Sequence, residues 1–218
     1  MTAHDILQDI AGRLVAAYDA ATFVEPITAS QPDFSVEEAY AVLAEVEARR
    51  EAQGWKPVGR KIGFTNRTIW DRYGVWQPMW AHVWAHTVHT AEDGKARLPL
   101  AGFVQPRLEP EVVFRLKAPL PSTADAMDVL AAVEWIAPGF EIVQSHFPGW
   151  KFRAPDCTAL ALATLARVLA GQPQMPPLAA GEIVTTGTLT DAWPVAPGET
   201  WTSDYGDLGL AGLTLRFD

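Results

Sequence analysis

The chain has 218 residues, 17 Lys and Arg against 26 Asp and Glu, and a formal net charge of −9; 49% of it is hydrophobic and 20% charged. That composition supplies a core and excludes a disordered chain, and an acidic protein without a Lys or Arg block excludes a nucleic-acid backbone as partner. No apolar run approaches the roughly 20 residues that span a bilayer, so no membrane partner is expected.

The start, MTAHDILQDI, lacks the basic-then-apolar order of a signal peptide, and the lone Cys157 cannot form an intramolecular disulfide. Both observations lead to the expectation of a cytoplasmic protein.

In chain order, residues 4–20 predict an amphipathic helix, because Ile6, Ile10, Leu14 and Ala17 recur at three- and four-residue intervals. A second helix is expected from Ser35, where Ser35 and Glu38 fit a capping box, to Gly54. VGRKIGF then reads as a buried strand that leads into a loop and a tryptophan-rich stretch, Trp70 to Trp84. Strands are expected at 112–116 and 140–144, with a helix at 125–136 between them that stops before Pro138. A further helix is expected over 158–170, closed by Gly171, and the last third predicts short strands in an antiparallel meander or part of a barrel.

The stretch QPRLEPEVVFRL carries the chemistry. In a strand, Glu109, Glu111, Val113 and Arg115 share one face, and the two carboxylates sit with Cα atoms about 6.6 to 6.8 Å apart. Alone, Glu-x-Glu is a weak motif that fits the solvated face of a half-buried strand better than a metal site. Glu141 adds weight, since Phe140, Ile142 and Val143 surround it and a lone carboxylate there is costly unless paired or ligated. Three carboxylates from two strands make the hard oxygen site that Mg²⁺ or Mn²⁺ prefers. Lys61, in the apolar, glycine-flanked GRKIGF, either snorkels to water at a sheet edge or pairs with an anion. Three glutamates and a divalent cation sum to −3 + 2 = −1, so an anionic substrate needs such a cation nearby.

GRKIGFTN, QPRLEPEVVF, FEIVQSHFPGWKF, GEIVTTGTLTDAWPVAPGETW and GDLGLAGLTLRF, in that order, resemble the 2-keto-4-pentenoate hydratase and 4-oxalocrotonate decarboxylase branch of the fumarylacetoacetate hydrolase superfamily, as a divergent, shortened member. The resemblance runs from Gly59 to Phe217. It implies an α+β fold, a mixed β-roll or distorted barrel with N-terminal helices, and an organisation of residues 1–54 as a helical segment on a catalytic domain of 55–218. It implies Glu109, Glu111 and Glu141 as ligands of Mg²⁺ or Mn²⁺, Lys61 as the proton-transfer residue, and Gly63, Thr65 and the Gly187–Thr188 pair along the substrate pocket. The implied activity is that of a metal-dependent lyase, hydratase-like, on a 2-oxo or 2-hydroxydienoic acid through a stabilised enolate. A homo-oligomer is implied as well.

The chain departs from that pattern. Hydratases carry an acid where this chain has Met79, which shifts the expectation toward decarboxylation or keto–enol proton transfer; Leu160 and Ala161 replace a polar pair and leave a non-catalytic binding or assembly protein as a further alternative. Trp70, Trp76, Trp80 and Trp84 are expected either in packing or as a pocket wall that favours an apolar tail over a second carboxylate. His82, His86 and His89 form a competing zinc set if the segment is helical.

Overall fold

The computed structural model describes residues 2–76, 78–121, 124, 126–158, 176–188 and 190–218. Two long helices open the chain, α1 (Ala3–Asp19) and α3 (Val36–Ala52), and each starts on a reciprocal capping box, Thr2 with Asp5 and Ser35 with Glu38. The boxes satisfy N–H groups that the first helical turn leaves without partners. Ile10, Ala11 and Leu14 of α1 pack on Ala39 and Val42 of α3, with Ile27 from the short α2 (Ile27–Ser30) completing this helical core. Asp156 of α6 (Ala154–Thr158), fully buried, accepts hydrogen bonds from the backbone N–H (2.8 Å) and hydroxyl (2.7 Å) of Thr28 and so ties α2 to the rest of the protein.

The main sheet runs β2-β1-β6-β4-β5, where β1 is Pro57–Gly63, β2 Met79–Trp84, β4 Arg107–Leu116, β5 Val133–Val143 and β6 Ile183–Thr185; β7 (Trp193–Pro194) pairs with the start of β4. A second sheet joins β3 (Lys95–Leu98), β9 (Thr214–Phe217) and β8 (Thr200–Thr202) over a small core that includes Leu100, Leu108 and Phe217.

Register decides which side chains meet, because directly paired residues project to the same side of a sheet. Lys61 pairs with Thr185, Thr185 with Val113, Glu111 with Gly139 and Glu109 with Glu141, so the basic and acidic groups share one face. The opposite face carries Arg60, Trp80 and His82 and is covered by α3: Tyr40 stacks on Trp80 at 6.3 Å, and Glu47 lies 2.7 Å from His82 Nδ1. The protein therefore separates a packed back face from a charged front face.

Several expectations are corrected. The expected barrel does not close; among the described residues β2 and β5 are open edges, and the fold is a mixed arrangement of helices and two sheets. The last third is no local meander, since β6 inserts between β1 and β4 and β9 lies parallel to β3. The expected helix 125–136 is cut short: α5 spans Ala126–Ala132 and the chain turns into β5 at Val133. Ten residues of β4 are waiting to be paired, and Pro138 is tolerated because β5 is an edge strand. The tryptophan-rich stretch holds the short α4 (Trp70–Tyr73) and β2. The helix expected over 158–170, with Leu160 and Ala161, lies almost wholly outside the described residues.

Candidate metal centre

Glu109 and Glu111 come from β4 and Glu141 from the antiparallel β5, and each offers a carboxylate oxygen within 4.8 Å of those of the other two. Opposite ligands of an octahedral Mg²⁺ are about 4.2 Å apart, so three carboxylates at this spacing can close on one small cation with modest side-chain motion. Among the described residues this is the one grouping of three or more His, Cys, Asp or Glu side chains at metal-binding distance.

Glu111 is held from two sides. Its Oε2 accepts a hydrogen bond from the Gly187 N–H at 3.0 Å, while Oε1 is buried without a hydrogen-bond partner. Gly187 has φ +74°, and a Cβ there would collide with the Thr65 hydroxyl and lie 2.7 Å from the Ile62 carbonyl, so glycine is required for this approach. Tyr205 pins the same strand pair, its hydroxyl donating to the backbone carbonyl of Glu111 at 2.9 Å and lying 3.3 Å from that of Gly139.

Burial pushes the Glu111 carboxyl up to about 9 and the Glu109 carboxyl up to about 7, and the charge on Glu141 adds to both. Lys61 hydrogen-bonds Glu141 Oε1. Burial alone would lower the pKa of this ammonium, but Glu141, with Glu109 and Glu111 behind it, outweighs that and holds the lysine above its ordinary value. With all three carboxylates ionised, as a bound cation would require, they and the ammonium sum to −3 + 1 = −2; without one, burial keeps protons on Glu111 and in part on Glu109. That potential charge, all-oxygen donors and one orphaned carboxylate oxygen fit a divalent hard cation.

The structure thus brings Lys61, Glu109, Glu111 and Glu141 together. Gly63 ends β1 opposite the buried Met79, and Thr65 packs against Gly187 beside Glu111. The Thr188 hydroxyl is turned to Thr190, 3.1 Å away, and not to the carboxylates. The histidine set does not assemble: His82 is a strand residue paired to Glu47, and His86 sits against Trp55 with ring centroids 4.2 Å apart. Nor do the four tryptophans form one wall. Trp80 and Trp84 project from the back face, Trp76 is 75% exposed, and Trp70 donates to the Phe64 carbonyl at 2.7 Å.

Sequence reasoning missed Tyr205, Thr185 and Gly139. Thr185, whose hydroxyl is buried, lies beside Glu111 and offsets part of its upward shift. The β-rich EIVTT was a visible signal for Thr185, while a tyrosine in a glycine-flanked loop carries none.

No protein-family model matches the chain. It is 39% identical over 149 residues to a 2-hydroxyhexa-2,4-dienoate hydratase from Comamonas testosteroni, a match that covers 67% of this chain and only 56% of that protein. It is 32% identical over 188 residues to a 2-hydroxypent-2,4-dienoate hydratase from Pseudomonas putida, covering 85% of this chain and 82% of that one. Among solved structures, the 4-oxalocrotonate decarboxylase from Pseudomonas putida G7 complexed with magnesium and adipate superposes with a TM-score of 0.87 at 22% identity, over 100% of this chain and 99% of that chain, which establishes the shared fold. The sequence relatives show that the chain belongs to the hydratase and decarboxylase branch of the fumarylacetoacetate hydrolase superfamily.

Proposed function

We propose that this protein is a divalent-metal-dependent lyase of a 2-oxo or 2-hydroxydienoic acid, hydratase-like, working through proton transfer at the carbon next to the 2-oxo group. The observation that carries the reading is the Lys61 ammonium hydrogen-bonded to Glu141 within a cluster of three carboxylates. Glu109, Glu111 and Glu141 would hold Mg²⁺ or Mn²⁺, in keeping with the magnesium of the solved decarboxylase. A cation there would supply Lewis acidity to the 2-oxo and carboxylate oxygens of the substrate.

The residues of the chain do the rest. Lys61, held charged by its carboxylate neighbours, is a proton donor aimed over the front face, and release of its proton makes it the matching base. Gly187 fixes the orientation of Glu111 through its N–H, and Tyr205 fixes the β4–β5 pair that carries all three carboxylates. Gly63 and Thr65 line the approach at the end of β1.

Met79 favours a second reading within the same chemistry. It is 1% exposed, opposes Gly63, and can neither donate nor accept a proton, so water activation from that position is absent. Keto–enol tautomerisation needs proton transfer alone, and decarboxylation releases CO₂, leaves the electron pair of the broken C–C bond in the enolate and then protonates carbon; neither needs an activated water, and both suit this site. The test is deuterium uptake at C3 of 2-hydroxypenta-2,4-dienoate and of 2-oxohex-3-enedioate in deuterated water with Mg²⁺ or Mn²⁺. Metal-dependent uptake is expected with the wild type; no uptake from either acid, with metal bound, overturns the reading.

A further inference from the structure

We infer that the Thr185 hydroxyl is a positioning group of the metal centre: it donates to Oε1 of Glu111 and, with the Gly187 N–H on Oε2, sets the plane in which that carboxylate meets a cation. The inference rests on the proposed function and adds a residue of this chain to the same site.

The run Thr185-Thr186-Gly187-Thr188 brings three hydroxyls to the neighbourhood of β4. Thr186 serves the backbone, its hydroxyl accepting from the Val112 N–H and donating to the Gly187 carbonyl, each at 3.4 Å. Thr188 is turned away, 3.1 Å from the Thr190 hydroxyl and accepting from the Thr190 N–H at 3.1 Å. Thr185 is different. Among the described residues its Oγ1 is buried with no hydrogen-bond partner, and Oε1 of Glu111 is in the same condition.

Register puts these two atoms on the same side. Thr185 pairs with Lys61 across β1 and with Val113 across β4, so its side chain stands on the front face beside the lysine. Glu111, two residues from Val113, is its diagonal neighbour on β4, about 7 to 8 Å away between backbones and within reach of a long side chain. The two groups act on each other: Thr185 favours the charged form of Glu111 against burial and the neighbouring carboxylates.

Packing alone would not select threonine here. Valine is similar in shape, suits a strand as well, and brings no polar atom to bury. A hydroxyl buried on this face costs stability unless it is bonded, and a bond to an ionised carboxylate is stronger than one to a neutral acceptor.

The arrangement acts on orientation. Gly187 holds only one oxygen of Glu111, which leaves the carboxylate free to turn about that bond. β-Branching stiffens the Thr185 side chain, while its hydroxyl hydrogen can rotate toward Oε1. Two donors from one β6 segment, one on each oxygen, then fix the carboxylate plane. Each oxygen has a second acceptor site, so a cation can still be met. Outer contacts of this kind orient metal ligands, and losing one typically costs about 10- to 100-fold in affinity.

The experiment is isothermal titration of MgCl₂ and of MnCl₂ into the full chain, for the wild type, Thr185→Val, Thr185→Ala and Thr185→Ser, with thermal melting of each metal-free form. Thr185→Val and Thr185→Ala should bind either ion about 10- to 100-fold more weakly, and Thr185→Ser should stay within about threefold of the wild type. Melting separates positioning from structure: valine should melt near the wild type after losing affinity, and serine, without the methyl group, should melt lower and keep it. Thr185→Ala decides if Thr185→Val does not fold. Hydroxyl-free variants within about threefold of the wild type, or affinities that follow Tm and not the hydroxyl, overturn the positioning role and leave the metal-site reading standing. A wild type that binds neither ion overturns the metal-site reading and this inference with it.

Discussion

Replacing Glu111 by Gln should raise the stability of the metal-free protein in mild alkali and abolish its response to metal. The folded-state pKa of Glu111 is raised to about 9 from an ordinary 4.5, and burial is the main cause. A carboxyl whose folded pKa is raised loses stability as pH climbs: its contribution is intact below the unfolded pKa near 4.5 and falls away up to the folded value near 9. At pH 8 the metal-free wild type therefore carries a penalty on the order of a few kcal/mol at this residue. The amide introduced by Glu111→Gln would keep the acceptor for the Gly187 N–H without a charge to bury, so the penalty disappears. Metal acts in the opposite direction on the wild type. A ligand at a hundred times its dissociation constant adds about 2.7 kcal/mol, and for a chain of this size each kcal/mol raises Tm by roughly 2 to 4 °C. Differential scanning calorimetry at pH 6 and pH 8, with and without MgCl₂ or MnCl₂, reads both effects. The wild type should gain about 5 to 11 °C with metal at pH 8, and Glu111→Gln should start higher and gain nothing. A variant that keeps the metal-induced gain would falsify the assignment of Glu111 as a ligand.

On the proposed role of Lys61 as proton carrier and not metal ligand, Lys61→Met should lower the rate of deuterium exchange at C3 by at least about a hundredfold while metal still raises Tm; exchange within about threefold of wild type removes Lys61 from the proton path. Gly187→Ala forces a Cβ into the Thr65 hydroxyl at a backbone angle of +74°, and should cost at least about 2 kcal/mol, or about 4 to 8 °C in Tm, with weaker metal binding. Unchanged melting would mean the loop relaxes without disturbing Glu111.

Much of the site was legible because strand alternation is a strict rule. Glu109 and Glu111 on one face follow from their spacing alone, and the apolar neighbours of Glu141 already demanded a partner, which is Lys61. The capping box at Ser35 was equally local, and the helix begins where it indicates. What was not legible depends on residues distant in sequence. The turn from α5 into β5 at Val133 contradicts a helical pattern that looks continuous to Ile136, and only the unpaired length of β4 decides it. The competing zinc reading of His82 needed a helix, and neither the strand nor the partner Glu47, 35 residues away, was visible locally. Barrel closure depends on whether β2 and β5 meet, and no local pattern encodes that.

The back face should govern the front. Arg60, 1% exposed, forms an ion pair with Glu182 at 3.3 Å and stacks over Trp80 at 5.2 Å. Glu182 immediately precedes β6, a strand of only three residues, Ile183–Thr185, that lies parallel to β1 and leads directly to Gly187. So short a strand is weakly specified by its own ladder, and a slip of one residue would turn Thr185 to the back and carry the Gly187 N–H away from Glu111. Gly59 lets the two strands close, since a Cβ there would overlap the Ile183 carbonyl. The ion pair is then the fastener that holds β6 in register. Arg60→Met leaves Glu182 largely buried and uncompensated, and should cost on the order of 3 to 5 kcal/mol together with a loss of metal affinity. Arg60→Met combined with Glu182→Leu removes both charges and should recover most of the stability, because apolar replacement of a buried pair is often neutral. Register, however, has lost its directional contact, so metal affinity should recover less than stability does. Full recovery of both in the double variant would show that the ladders of β6 with β1 and β4 set the register by themselves, and that the ion pair has no hold on the candidate metal centre.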